Sequence, residues 1–390
     1  MLRSVAATLA LAQGFWGANA AGDMLLCGKT YSHKWLTKTA MPVKRSDMTA
    51  TTVGDAIYLV GGCAMDQVWT PSPQYPGYTC GGGVSAAISS KLTSYHPKTN
   101  EHKSLPDAPR GRYRHAAAEV GGKIYLFGGK DGADAMVKEI DVYNTVSSTW
   151  STLSWKDENA TTDNAAFAYG GKIYVLGGYN DGWEAQTRVR IFDPSEDGAA
   201  AFVDGPAMKQ SRGDFSAAVS NGTALVVGGF HHGDDFKMPL TSVERLDVGT
   251  SGASWMVRKE MSVGRGDKAV AALNGAMHVI GGETKNTDGH SLPLTDVEVY
   301  HPDCNEWQAG GDIPSKRFRF TAASHGSSIY IFGGQGYLEG AYGSAGSKYP
   351  LMDTVEEFSE TVKASETADG AMTLCQGLAP LALAVGLMGA

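Results

Sequence analysis

Four aspartates and two arginines in this chain stand where they could act together. They are Asp47, Arg114, Asp163, Asp214, Asp267 and Arg319, and each lies fourteen residues before the first glycine of a Gly-Gly pair. A fixed offset from a repeated marker means six equivalent places in six copies of one unit. Four carboxylates gathered near one axis repel one another and raise each other's pKa values. Such a set suits a cationic, hydroxylated or metal-bearing ligand, and one carboxyl among them could act as an acid or a base. An ionic use is open as well: the arginines neutralise part of the set, and the ring fixes register and orders channel water.

A second set stands two residues earlier, at Arg45, Arg112, Thr161, Arg212, Arg265 and Arg317. A guanidinium carries five donors in a rigid fork, so a buried Arg here reads as a brace for backbone carbonyls and carboxylates. Two residues apart on one strand, the two sets point to the same side. The expectation is that Arg of one ring pairs with Asp of the other.

The elements that must hold these residues are marked by the glycines. Six short apolar runs end in Gly61-Gly62, Gly128-Gly129, Gly177-Gly178, Gly228-Gly229, Gly281-Gly282 and Gly333-Gly334. The intervals between them are 67, 49, 51, 53 and 52 residues. A repeat of about 50 residues built from short strands is the signature of a propeller blade. In the second unit Arg112 to Val120 reads as the inner strand, followed by Lys123 to Phe127, Glu139 to Tyr143 and Trp150 to Leu153. The Gly-Gly pair ends the second strand because a neighbouring blade must approach closely there. Aromatic pairs recur further out: Tyr143 with Trp150, Phe192 with Phe202, Tyr300 with Trp307. Trp255 follows Leu246, and the first blade has Tyr95 but no Trp on its strands.

This array resembles the kelch-repeat family over about residues 30–362. The resemblance implies an all-β fold, a six-bladed kelch β-propeller. Only one strand, near Thr354 to Phe358, follows the sixth Gly-Gly. The segment Lys34-Trp35-Leu36, with Met41-Pro42 after it, matches an outer strand with no blade of its own. An N-terminal strand therefore closes the last blade, which removes free sheet edges. In some six-bladed relatives an Arg at the place of Arg114 grips acidic groups of a peptide. Most blades here carry Asp instead, so that specificity is not expected to transfer.

The rest of the chain narrows the setting. Arg3, the apolar run Ser4 to Trp16 and Ala18-Asn19-Ala20 read as a signal peptide over residues 1–20. Residues 21–29 form an N-terminal segment before the propeller at 30–362. Residues 363–390 form a tail whose small residues, polar spacer and apolar end resemble a GPI-attachment signal. Asn159-Ala160-Thr161 and Asn221-Gly222-Thr223 are glycosylation acceptors, at Asn159 and Asn221, in a secretory chain. Five cysteines fit an oxidising compartment. Cys63 and Cys80 flank an insertion rich in Pro, Tyr and Gly, and a disulfide between them is worth roughly 3 kcal/mol. Cys27 and Cys304 are the next pair, and Cys375 lies in the tail. A net charge of −8 without a basic patch excludes nucleic acid as a partner.

The long loops after Gly-Gly open on the face where the inner strand starts. They include Cys63 to Ser85, His231-His232-Gly233-Asp234-Asp235, Glu283 to Pro293 with His290, and Gln335 to Pro350 with Tyr337, Tyr342 and Tyr349. Charge ring and long loops thus crowd one rim, and loops on a rigid scaffold are where function concentrates. The His231 loop could hold a metal; Asp131-Gly132-Ala133-Asp134 and Asn286-Thr287-Asp288-Gly289 are weak Ca²⁺ candidates. No zinc spacing, nucleophile elbow, P-loop or dinucleotide fingerprint occurs, so no metal or other cofactor is expected. His115 beside Arg114 reads as blade packing.

Two readings follow. The first is a secreted or cell-surface monomer that binds an extracellular protein or glycan through the loop-rich rim and the charged channel mouth, tied to a membrane only through a lipid anchor. The second is a secreted sugar-processing enzyme with acid/base carboxylates among Asp47, Asp163, Asp214 and Asp267. Its analogues are the bacterial sialic acid mutarotase, a six-bladed kelch protein, and galactose-oxidase-like enzymes, whose Tyr–Cys cofactor finds no obvious free thiol here. Binding is favoured over catalysis. An intracellular ubiquitin-ligase adaptor role is not expected.

Overall fold

The computed structural model describes residues 24–26, 29–65, 67–70, 77–80, 85–231, 238–285, 291–336 and 348–364. Two compact units emerge: His33–Ser359, and a smaller unit from the chain ends, Met1–Ser32 and Glu360–Ala390. In the smaller one Met24–Leu26 pairs antiparallel with the start of Lys29–Thr37, Met24 opposite Tyr31. The larger unit is the six-bladed β-propeller; its described residues are all β apart from two single-turn 3-10 segments at Ser85–Ala87 and Gly198–Ala201.

Each blade is an antiparallel sheet that runs outward from the axis. Blade one is Thr49–Val53, Ala56–Val60, Leu92–His96 and Glu101–Leu105. Blade two is Ala116–Val120, Lys123–Phe127, Glu139–Asn144 and Thr149–Lys156. Its inner strand starts later than the residue pattern predicts, because Arg112 to His115 form a bend that leads into it. Blade three is Ala165–Tyr169, Lys172–Leu176, Val189–Phe192 and Phe202–Asp204. Blade four is Ser216–Ser220, Thr223–Val227, Val243–Asp247 and Met256–Arg258; blade five is Ala269–Leu273, Ala276–Ile280, Asp296–His301 and Glu306–Asp312. Blade six is Thr321–His325, Ser328–Phe332, Val355–Ala364 and, as its fourth strand, Lys29–Thr37. The N-terminal strand closes the last blade, as the unmatched Trp35 segment predicts, and Trp35 packs on Phe358.

Two closed belts of backbone hydrogen bonds lock the blades together. In the outer belt the second Gly of each pair donates to the next blade: Gly62 to Arg112 O, Gly129 to Thr161 O, Gly178 to Arg212 O, Gly229 to Arg265 O, Gly282 to Arg317 O. The sixth bond, Gly334 to Arg45 O, returns to blade one. This contact explains the glycines. A Cβ on Gly61 would stand 2.5 Å from the Arg112 carbonyl oxygen, and the residue sits at φ 69, a conformation side chains resist.

Apolar side chains fill the gaps between neighbouring blades. Met41, Ile57, Leu59 and Tyr95 of the first repeat share one cluster with Tyr330, Phe332 and Val355 of the last. The outer aromatics tie each blade to the chain that enters it. Trp150 donates to Pro106 O, Trp255 to Pro206 O and Trp307 to Lys259 O, each at 2.8 Å. The outer strands of blade one lack Trp, and His102 takes its place: it pairs with Tyr95, its ring tilted against the tyrosine at 4.9 Å, and bonds Thr39 O at 3.0 Å.

Candidate functional site

The six charged residues do form a ring. All adopt left-handed backbone, φ between 51 and 57. Each amide donates to the carbonyl of the previous member: Arg114 to Asp47, Asp163 to Arg114, Asp214 to Asp163, Asp267 to Asp214, Arg319 to Asp267, and Asp47 to Arg319. This is the inner belt. Asp tolerates left-handed backbone; Arg114 and Arg319 adopt it at a cost of roughly 1–2 kcal/mol each. The belt of amides thus imposes the geometry, and side chains of either sign are carried by it.

The expected pairing between the two arginine-bearing sets is not what forms. In left-handed backbone the two-residue rule of a strand does not apply, and the sets diverge. The outer arginines turn away from the axis and are at most 1% exposed. Each donates to the carbonyl of its own Gly-Gly pair: Arg45 to Gly61, Arg112 to Gly128, Arg212 to Gly228, Arg265 to Gly281, Arg317 to Gly333. Four also grip a carboxylate on the third strand: Arg112 with Asp141, Arg212 with Glu244, Arg265 with Glu298, Arg317 with Glu356. Arg45 meets the Thr93 hydroxyl instead. This set braces the blades.

The channel ring pairs within itself. Arg114 lies 3.9 Å from Asp47 and 3.6 Å from Asp163; Arg319 lies 3.9 Å from Asp47 and 2.9 Å from Asp267. Both cations therefore flank Asp47. The opposite arc, Asp163, Asp214 and Asp267, has no cation between neighbours. Burial and mutual repulsion lift its carboxyls: Asp214 is pushed up to about 7, Asp163 upward, and Asp267 well above its usual range. Asp163 and Asp214 are hydrogen-bonded to each other, and Tyr179 donates to Asp214 at 2.9 Å. Burial opposes the charge on Arg114, but Asp163, Tyr113 and Asp47 outweigh it and hold its pKa well above the ordinary one. Lys268 reaches the Asp214 carbonyl at 3.4 Å, and burial and Arg212 press its pKa well below that of a free lysine.

A cavity of about 200 Å³ starts at this ring. Its wall is the first turns of the six inner strands, with Ala50, Ala117, Ala166, Ala217, Val270 and Ala322. Those residues follow the ring, so the cavity runs along the strands, away from the loops after Gly-Gly. The ring thus stands at the end of this cavity nearest the loops after Gly-Gly. Towards the loops it is backed by aromatics, with Tyr113, Trp183 and Phe318 against Arg114 and Arg319 at 5.3–5.9 Å.

The loop side has its own structure. The insertion of blade one is a hairpin, Gln67–Thr70 with Gly77–Cys80, and Lys348–Tyr349 of blade six extends it to three strands. Cys63 and Cys80 are joined, Cα atoms 5.7 Å apart. Tyr349 packs edge-on against Phe318 at 5.1 Å. Cys304 is disulfide-bonded too, but not to a cysteine among the described residues.

Other sequence candidates fare differently. His115 packs against Gly61 and bonds Thr49 at 3.2 Å, in the packing role expected. Asp131 is spent on the amides of Ala133 and Ala135, and Asp134 on Tyr113 and Lys130, which removes the first Ca²⁺ candidate. The second, Asn286 to Gly289, lies outside the described residues. So do His232, Asp234 and Asp235, His290, Tyr337, Tyr342, Cys27, Cys375, the signal segment and the tail from 365. Among the described residues no group of three His, Cys, Asp or Glu is placed to hold a metal.

Comparison with known proteins meets this geometry from outside. The model of the Attractin/LZTR1 beta-propeller family matches residues 77–339. The chain belongs to the kelch-repeat β-propeller family. The kelch protein M-T8 of myxoma virus is 26% identical over 254 residues, 64% of this chain and 47% of that one. Mouse Kelch-like protein 35 is 22% identical, over 66% and 46% of the two chains. Alpha-scruin of Limulus polyphemus is 24% identical, over 72% of this chain and 29% of that one. The chain spans about half the length of the first curated relatives it matches. The solved structure of YjhT superposes with a TM-score of 0.63 at 15% identity, over 84% of this chain and 99% of that one. At that identity the likeness is one of fold.

One feature of this kelch propeller escapes the repeat pattern. In blade three Thr161 replaces the bracing Arg, and its hydroxyl donates to Gly177 O at 2.8 Å, as the guanidinium does elsewhere. The third-strand position that holds Asp141, Glu244, Glu298 or Glu356 in other blades holds Arg190. Its partner Asp157, bonded by both guanidinium nitrogens at 2.5 and 2.6 Å, stands where Met41, Ala108, Met208, Met261 and Ile313 stand in the others. The signal was present in the sequence: Thr161 is the one exception among six, and an Arg two strands on supplies the missing charge.

Proposed function

We propose that this propeller is a binding module of the extracellular space, secreted or held at the cell surface, and that it engages a protein or glycan ligand through its loop face. The observation that carries this reading is the three-stranded sheet built on that face. Blade one contributes a disulfide-tied hairpin, blade six adds a strand, and the sheet spans the junction where the ring closes. A rigid platform on long insertions is how a scaffold presents a recognition surface. Membership of the kelch repeats points to protein binding in general. The leader over 1–20, the two sequons and the buried disulfide support an oxidising, secretory setting. The tail 363–390 adds a lipid anchor to the same proposal.

A second reading rests on Asp214. A carboxyl held near 7, bonded to Asp163 and Tyr179 at the floor of a cavity, has the pKa of a general acid or base at neutral pH. Against it stands size: about 200 Å³ is below the 300–1,000 Å³ of ordinary small-ligand sites.

The two are separated by one pair of variants. Replacement of residues 67–79 by a short Gly-Ser linker removes the hairpin; Asp214→Asn removes the titrating carboxyl. Both are assayed on an array of glycans and extracellular proteins and in a sugar-mutarotation assay. Binding lost in the first variant and kept in the second supports the module. Mutarotation by the parent that Asp214→Asn abolishes establishes the enzyme instead.

A further inference from the structure

The charge swap in blade three leaves a hole. In the other five blades a fully buried guanidinium fills the space beside the Gly-Gly carbonyl. Thr161 is too short to fill it, and a polar cavity of about 190 Å³ lies there. That is roughly the room of six waters, enough for one pyranose ring. Asn159, Asp181, Gln186 and Arg188 line it, with Val175 and Ala160 as apolar wall. Acceptors, a cation and a small apolar patch together match a sugar, which offers hydroxyls on its edge and C–H groups on its face.

Asn159 itself borders the cavity and is exposed. Its oxygen accepts a bond from Arg188 at 2.9 Å. Its amide nitrogen has no protein partner among the described residues. Thr161, which opens the cavity, is also the residue that makes Asn159 a glycosylation acceptor. One substitution thus creates both the acceptor and the space.

We propose that the first N-acetylglucosamine of a glycan on Asn159 seats in this cavity and replaces the missing arginine as the filling of blade three. The inference rests on the secretory reading. In the attachment step the Asn159 amide nitrogen bonds to C1 of the sugar of a polyprenyl-pyrophosphate-linked oligosaccharide. The C1–O bond to phosphate breaks, the polyprenyl pyrophosphate leaves, and the amide loses one proton. Asn221 provides the internal control. It is exposed and occupies a left-handed turn, φ 49, between the first two strands of blade four.

The test is production in a glycosylating secretory host behind a heterologous leader, with the chain's own leader run in parallel. Failure of the native leader alone counts against the secretory reading; the heterologous leader tests the cavity regardless. The same chain exported to the periplasm of a bacterial host, where its disulfides form, supplies the sugar-free reference, with Asn159 intact. Peptide mapping should find sugar at Asn159. A glycan amidase acting on the folded protein should release the Asn221 glycan at least tenfold faster than the Asn159 glycan. Asn221→Gln from the secretory host, which still carries the Asn159 sugar, should melt about 2–4 °C above the same variant made sugar-free in the bacterial host. An unmodified Asn159, equal release rates, or an Asn221→Gln protein no more stable than its sugar-free counterpart would each overturn the proposal.

Discussion

Blade three and the other five blades meet the same structural need with opposite charges. In each, a side chain from the bend before the inner strand must satisfy the carbonyl of the first Gly of the pair. Five use a buried Arg, and four of those balance it with a carboxylate on the third strand. Blade three uses the Thr161 hydroxyl and moves the cation to Arg190 and the anion to Asp157. The carbonyl bond is thus the fixed requirement, and the ion pair is adjustable. A buried pair survives relocation but not the loss of one partner.

The largest expected effect breaks the comparison by copying half of blade three into blade four. Arg212→Thr keeps a hydroxyl near Gly228 but strands Glu244 in a buried site. Removing one partner of a buried pair costs about 3–5 kcal/mol. Urea unfolding of the variant should show that loss. A change below about 1 kcal/mol would mean that the arginines are not braces, and that the swap in blade three needs no compensation.

The channel ring sharpens the contrast, because there two arginines face four aspartates and the compensation is incomplete. Around Asp47 cations and anions alternate, whereas Asp163, Asp214 and Asp267 follow one another directly. Asp214 has a folded pKa near 7 against an ordinary value of 3.8. Between those values the unfolded chain has released its proton while the folded chain still holds it. Stability is therefore fully present below about pH 4 and falls as pH rises through 7. Asp163 and Asp267 shift the same way, and Arg114, Arg319 and Tyr179 face the same arc, so the arc titrates as a unit. Asp214→Asn should flatten that fall by up to about 4 kcal/mol and raise the melting temperature at pH 8 relative to the parent. Parallel pH profiles for parent and variant would show that the three carboxyls do not share protons.

Much of this was legible in the residues, and the failures are instructive. The Gly-Gly spacing marks six blades, and the unmatched Trp35 segment marks the closing strand, because both follow from local patterns repeated at a fixed interval. The ring was legible as six equivalent positions. Its pairing was not, since the strand rule was applied to residues whose backbone is left-handed, which nothing in Asp or Arg announces. The surroundings of the ring were also hidden. They come from the Ala-lined inner strands on one side and from aromatics such as Tyr113 and Phe318, brought from separate blades, on the other. Blade three was legible only in part: Thr161 was visible as an exception, but Asp157 lies on a different element from Arg190 and gains meaning only in contact.

The smallest expected effect comes from the complete exchange. Thr161→Arg alone places a second guanidinium near Arg190 and should destabilise the fold. Adding Arg190→Glu gives the new Arg its third-strand carboxylate, and Asp157→Met restores the apolar filling found at Met208 and Met261. The triple variant should fold with a stability within about 1 kcal/mol of the sugar-free parent, because each charge is again paired and the cavity is filled from within. If it stays as unstable as Thr161→Arg alone, the three positions are not one unit. If it matches the sugar-free parent, blade three could carry the arginine of the other blades without loss, and the reason it keeps Thr161 and the hole must lie in what enters that hole.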